Sequence, residues 1–245
     1  MFNAIIANFG HYNLHELFAL LQTPAFYSVV LVLIVLEITL SADNAVVLAL
    51  LVKHLPPDQQ KKALTYGIFG AYVFRVIAIG LGTLLIKLWW IKLIGGGYLL
   101  YLALKYFYEM YFGKDDDHDG TPDGLQKGLI GTIITIEAMD ICFSMDSVLA
   151  AFGVSNSVWV LLIGGMMGIL AMRFVATKIV FLLEKVPELE TAAFVMITFI
   201  GGKMILSTTG NELHDWTTFV CMVVSFGGAF VINYLKKSKE EVITI

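Results

Sequence analysis

The chain has 245 residues, of which 58% are hydrophobic and only 15% charged, with a formal net charge of −4. An ordinary soluble domain is about 25% charged, so this composition excludes a water-soluble fold with a polar shell. The weak net acidity by itself says nothing about nucleic acid. Apolar runs longer than the roughly 18–20 residues that span a hydrocarbon core recur along the chain. Too few polar faces remain for all of them to be buried helices of a soluble core.

In chain order, residues 1–25 are mixed. Leu14, Leu17, Phe18 and Leu21 predict a short interfacial helix that ends near Pro24. This segment lacks a basic start and a small-residue cleavage site, so no cleavable signal peptide is expected and the first span serves as the targeting signal. His11 and His15 lie one turn apart and read as a wet surface pair rather than a metal site.

Seven spans are predicted, near 26–52, 63–85, 91–111, 128–152, 158–183, 191–206 and 216–235. Pro56-Pro57 separates the first two, and Trp89-Trp90 fits an interfacial belt before the third. Gly95-Gly96-Gly97 predicts a close helix approach or an unwound turn. The acidic stretch 113–127, with Asp115, Asp116, Asp117 and Asp119, reads as a solvated cytoplasmic linker and not a metal collector. Cys142 and Cys221 lack a Cys-x-x-Cys spacing and read as unpaired small hydrophobes.

Lysine placement predicts the orientation. With the amino terminus outside, the inner segments hold Lys53, Lys61, Lys62, Lys105, Lys114, Lys127, Lys178, Lys185, Lys236, Lys237 and Lys239, and the outer turns hold Lys87 and Lys92. The positive-inside rule therefore puts the carboxyl terminus in the cytoplasm.

Two polar stretches interrupt the apolar runs. The first span carries Glu37, Ser41, Asp43 and Asn44; the fourth carries Asp140, Ser144, Asp146 and Ser147, with Glu137 a turn earlier. In each, an acid precedes Ser-x-Asp-(Asn/Ser) by the same spacing. Spans two and five share Gly-x-x-Gly-x4-Arg, as Gly67, Gly70 and Arg75, then Gly165, Gly168 and Arg173. Spans three and six share a glycine pair, Gly96-Gly97 and Gly201-Gly202. Three features in the same order predict a repeat, 26–112 and 128–206, whose odd number of spans inverts the second copy; the helix over 216–237 stands outside it. The expected fold is thus all-α and polytopic: seven transmembrane helices, an inverted three-plus-three repeat and one extra C-terminal helix.

The repeat predicts the chemistry. On a helix, Glu37, Ser41 and Asn44 share one face with Asp43 slightly offset, and Asp140, Ser144 and Ser147 do likewise with Asp146 beside them. Acids at membrane depth are expensive unless they face a cavity, a partner or an ion. Two converging faces of carboxylate, amide and hydroxyl oxygens suit Mg²⁺, Ca²⁺ or Mn²⁺ better than zinc or copper. Met139, Cys142 and Met145 could add a softer contact. Arg75 and Arg173 are expected to offset part of the acid, though these two cannot neutralise Glu37, Asp43, Glu137, Asp140 and Asp146 together. Competition between metal and protons for such carboxylates would give metal–proton antiport. The alternative makes the acids structural salt-bridge partners of Arg75, Arg173 and Lys203.

The stretches Glu37–Ala49 and Asp140–Ala150, Gly67-x-x-Gly70-x4-Arg75 and the seven-span plan resemble the TerC family of integral membrane proteins over about residues 25–235. The resemblance implies a relative of the LysE-like cation and amino-acid exporters. It implies export of Mn²⁺, protection from metal excess and supply of metal to secreted enzymes. Carried over, the metal positions are Glu37, Asp43, Asn44, Asp140, Asp146 and Ser147. Ser41, Glu137, Ser144, Met145, Arg75 and Arg173 are additional ion-path residues. Ser147 stands where the first motif has Asn44, so the two halves cannot supply identical ligands.

The reading is therefore a plasma-membrane secondary exporter of divalent cations, Mn²⁺ foremost, with Ca²⁺ as the variant. It has no organic cofactor and no nucleic-acid partner, and a homo-oligomer is left open. A scaffold that hands metal to secretion or stress machinery is the alternative. No enzyme is expected, since His-Glu-x-x-His and nucleophile–His arrangements at membrane depth are absent from the sequence.

Overall fold

The computed structural model describes residues 14–82, 88–112, 128–211 and 213–243, and every regular element among them is an α-helix. In chain order these are α1 (Leu14–Leu21), α2 (Pro24–Leu40), α3 (Ala42–Lys53), α4 (Pro57–Leu81), α5 (Trp89–Phe112), α6 (Leu129–Val154), α7 (Val158–Lys185), α8 (Glu188–Thr208) and α9 (Asp215–Ile243). His11, residues 115–119 and the rest of the acidic linker lie outside the described residues.

Local chemistry sets the boundaries. Proline opens α2 and α4 at positions where its missing N–H costs nothing. Gly82, at φ 54°, ends α4 in a conformation that disfavours side chains with a Cβ. Residues 15–21 turn by 91° into α2, so α1 lies across the start of that helix.

Four described helices are long and apolar enough to cross a membrane: Pro57–Leu81, Val158–Lys185, Glu188–Thr208 and Trp216–Lys236. The bent pair formed by α1 and α2 makes up to five. Helices α5 and α6 are as long, at 24 and 26 residues. Their polarity sets them apart. Lys92, Lys105 and Glu109 sit in α5, and Glu137, Asp140 and Asp146 in α6. The protein is thus an all-helical, multi-pass membrane protein.

The helices pair in a fixed pattern: α2 packs on α7, α4 on α6, α5 on α8, and α9 on α8. Helix α3 runs through the centre, buried on every side from Asn44 to Val52. Two apolar clusters result. One gathers Ala45–Val52 with Leu99, Leu102, Ile136, Val180, Phe194 and Ile197. The other gathers Phe26, Leu33, Ala78, Ile79, Val148 and Leu161. Along α2–α3, α4, α6 and α7, the polar residues fall mainly between these clusters. Large apolar side chains such as Phe69, Val73, Phe174 and Val224 are exposed on the outside, the side that faces lipid in a membrane protein.

The glycine triplet does not unwind; α5 is continuous through it. It is a close approach instead. A Cβ on Gly96 would lie 2.8 Å from the Gly201 carbonyl oxygen, and one on Gly201 would lie 2.9 Å from that of Gly96. One glycine of each pair, Gly96 and Gly201, therefore makes the contact, backbone to backbone, while Gly97 and Gly202 face open space.

Candidate ion site

The two polar stretches take different backbone courses. The first is broken: Ser41, at φ −113° and ψ 10°, separates α2 from α3 in the middle of the motif. Its N–H still donates to the Glu37 carbonyl at 2.8 Å, so the break is a kink and not a gap. Just beyond it, the Asn44 N–H donates to the Asp43 carboxylate at 3.0 Å, occupying one amide at the start of α3. The second stretch is helical throughout α6. There Ser147 Oγ donates to the Ser144 carbonyl at 3.2 Å without interrupting the helix.

An inner chamber of about 20 Å³ lies between the stretches, lined by Glu37, Ser41, Asn44, Asp140, Ser144 and Arg75 among others. That volume suits a single water or ion. Glu37 is the hub. Its Oε1 accepts from Arg75 Nη2 at 2.6 Å, from Ser147 Oγ at 3.2 Å and from Ser41 Oγ at 3.4 Å. Arg173 Nη2 donates to Asp140 Oδ2 and to the Gly67 carbonyl, the latter at 3.2 Å. All four charged residues are buried, with Arg75 1% exposed. Ser144 Oγ, Arg75 Nε, and Arg173 Nε and Nη1 are buried without a hydrogen-bond partner; of these only the Ser144 hydroxyl can offer an oxygen to a cation, since a guanidinium donates and does not accept.

The glycines explain how helices approach closely enough to build the chamber. A Cβ on Gly168 would fall 2.5 Å from Glu37 Cβ, and one on Gly70 would fall 1.9 Å from Glu137 Oε2. Gly165 accommodates Arg75 and Gly67 accommodates Arg173, in each case at about 3 Å from an added Cβ. Each Gly-x-x-Gly motif thus receives an arginine and an acid from the opposite half of the chain.

A larger cleft of about 340 Å³ adjoins the chamber, lined by Asp43, Asn44, Asp146, Ser147, Lys92 and Lys203 among others. Asn44 and Phe143 line both spaces. Lys92 Nζ donates to Asp146 Oδ1. A third space, of about 460 Å³, opens between the kink and α9, with Asp43 and Lys203 at its inner wall and Trp216, Phe219 and Met222 beyond.

The structure thus sorts the six expected metal positions into two levels. Glu37 and Asp140 sit at the chamber, Asp43 and Asp146 at the cleft, Asn44 between, and Ser147 lines the cleft while bonding to Glu37. Among the described residues no three His, Cys, Asp or Glu side chains stand together as a metal cage. Of the additional positions, Ser41, Ser144 and Arg75 line the chamber, and Arg173 reaches it through Asp140. Glu137 packs on Gly70 instead. Met139 and Met145 are buried in the apolar clusters, 2% exposed each. Cys142 lines the cleft, its thiol 3.6 Å from the Ile91 carbonyl. His15 lies on α1, outside the helices that carry the two motifs.

Arg75 and Arg173 each hold one acid, and lysines add to them at the others. Lys92, expected in an outer turn, reaches Asp146, and Lys203 lines the same cleft. Phe143 was not foreseen either; an aromatic residue in an apolar run carries no signal that it borders an ion path.

The family model described as the integral membrane protein TerC family matches residues 22–241. The uncharacterized membrane protein YceF of Bacillus subtilis is 48% identical over 229 residues, covering 90% of this chain and 87% of that protein. The chloroplastic thylakoid membrane protein TERC of Arabidopsis thaliana is 30% identical, covering 84% of this chain and 61% of its own. The inner membrane protein YgdQ of Escherichia coli K12 is 27% identical over 91% of this chain and 99% of its own. No solved structure matches.

Proposed function

Because the chain belongs to the TerC family of integral membrane proteins, we propose that it is a secondary transporter that exports divalent cations, Mn²⁺ foremost, from the cytoplasm. The observation that carries this reading is the joint position of Asp43 and Asp146. They come from different halves of the chain, line one cleft, and stand over a chamber of single-ion size. Both levels carry carboxylate, amide and hydroxyl oxygens among apolar and basic side chains, and such oxygens are the donor set of Mg²⁺, Ca²⁺ and Mn²⁺.

In this reading α2 and α3 form one broken span, seven spans cross the plasma membrane, and α1 lies at the interface. The crosswise pairing of α2 with α7 and α4 with α6 supports an inverted three-plus-three repeat with α9 outside it. Lys53 pairs with Glu190 and Lys236 with Glu188, so both meet at the start of α8, the end that the positive-inside rule assigns to the cytoplasm. The cleft then faces outward, and the chamber is closed from the cytoplasm by the Glu37–Arg75 and Asp140–Arg173 pairs and the apolar cluster around α3. An ion released outward would pass Glu37 and Asp140 first, then Asp43 and Asp146. Protons that compete for these carboxylates would couple export to the proton gradient.

The test is flux and metal content in proteoliposomes offered Mn²⁺, Ca²⁺, Mg²⁺ and Zn²⁺ separately. Wild type is expected to move Mn²⁺ best. Asp43→Ala and Asp146→Ala are expected to abolish movement while the protein still inserts. Flux that ignores a pH gradient removes the proton part alone. A second reading, a scaffold that hands metal to secretion or stress machinery, draws on the lack of a three-ligand cage among the described residues. It requires Asp43→Asn to be silent, whereas the exporter reading requires that variant to lose flux.

A further inference from the structure

We propose that Lys92 is a tethered counter-ion, its ammonium holding the Asp146 carboxylate whenever the transported cation is absent. The inference rests on the transport reading above and concerns how the same site empties and resets. The two inner acids are held by guanidinium groups on buried stems, and Arg75 and Arg173 reach them from α4 and α7. Asp146 differs. Its side chain is 63% exposed in the cleft, and its partner arrives from the first turn of α5, a helix without an acidic motif. The Lys92 side chain is only 14% exposed, so it runs along the wall and presents its charge at the cleft.

Lysine suits this task better than arginine. Its ammonium is a point charge on a flexible four-carbon stem, without the planar fork that fixes a bidentate partner. It can leave a carboxylate to an incoming dication and return when that ion departs. Asp43 and Lys203 line the same cleft, so exchange at Asp146 takes place beside one further acid and one further base.

Two consequences follow. Cation and ammonium compete for one carboxylate, which raises the cation concentration needed for half-saturation. Return of the empty carrier then moves Asp146 with its charge balanced, avoiding transfer of a bare carboxylate through a low-dielectric barrier. Lys92 thereby separates net transport from exchange. Net transport needs the empty return step, and exchange of one Mn²⁺ for another does not.

The experiment uses the full chain in proteoliposomes with Mn²⁺ as the probe. Two fluxes are measured: efflux into metal-free medium, and isotopic exchange with Mn²⁺ at equal concentration on both sides. For Lys92→Met, the half-saturating Mn²⁺ for exchange is expected to fall about two- to fivefold, the loss of one exposed ion pair. Efflux into metal-free medium is expected to fall about tenfold or more, because an uncompensated charge must cross on return. Lys92→Arg restores net efflux at least in part. Wild-type half-saturation and net efflux in Lys92→Met would overturn the inference. So would loss of exchange together with net efflux, since that marks a lysine needed for the fold. If the wild type moves no Mn²⁺ in either assay, the transport function itself falls, and this inference with it. The other failures leave transport standing.

Discussion

Glu37 gathers three side chains at one oxygen while its β and γ carbons lie against Gly168, so its position is fixed by charge and by shape together. Removing one partner of a buried pair strands the other charge, which costs about 3–5 kcal/mol. Arg75→Met alone should therefore lower stability in a detergent unfolding titration by that amount, and Glu37→Gln added to it should recover part of the loss. Gly168→Ala should cost about 1–3 kcal/mol, since the new methyl meets Glu37 carbons that cannot retreat. The acids and arginines were legible in the sequence because charge inside an apolar run is rare. Their pairing was not, as Glu37 with Arg75 and Asp140 with Arg173 depends on which helices pack. Lys92 was hidden for another reason: near the end of an apolar run, beside two tryptophans, it reads as a residue of an outer turn.

At the scale of the element, similar motifs yielded dissimilar helices. Ser41 interrupts the first, where Asp43 accepts from the N–H of the adjacent Asn44 in the first turn of α3; α6 runs unbroken past Ser144 and Asp146. Spacing alone could not separate these outcomes, because both sequences place an acid, a serine and an aspartate at the same intervals and differ at Asn44 and Ser147. The helical regions themselves were legible from their apolar runs, and the structure extends several by a few residues at their polar ends. The glycine pairs were legible as a close approach, with the partner unknown until α5 met α8. That contact makes a selective prediction. Gly97→Ala should be neutral or stabilising by up to about 1 kcal/mol, because alanine favours the helix and no atom lies within 4 Å of an added Cβ. Gly96→Ala should destabilise in the same thermal unfolding assay, since its Cβ meets a backbone carbonyl.

For the whole molecule, the informative feature is the polar layer between two apolar clusters, reached from one side by the cleft. If that side is the exterior, a cysteine at Ser207, placed in a protein with Cys142→Ala and Cys221→Ala, should react with a membrane-impermeant maleimide added outside intact cells. A cysteine at Lys61 should react only after the membrane is opened. Saturating Mn²⁺ should slow labelling at Ser207, a residue of the cleft wall. The reverse labelling pattern would invert the orientation. The crosswise helix pairing was partly legible, since matched motifs imply matched neighbours. The division of the acids into two levels was not, because sequence spacing measures distance along helices and not between them.

Glu37 touching Gly168 has a mechanical consequence. A side chain seated directly on a neighbouring backbone has no sideways room, so a change in its charge state cannot be absorbed by swinging to another rotamer. The response must be a displacement of α7 against α2, so in the proposed exporter the coming and going of a single ion would be geared to the sliding of two whole rods.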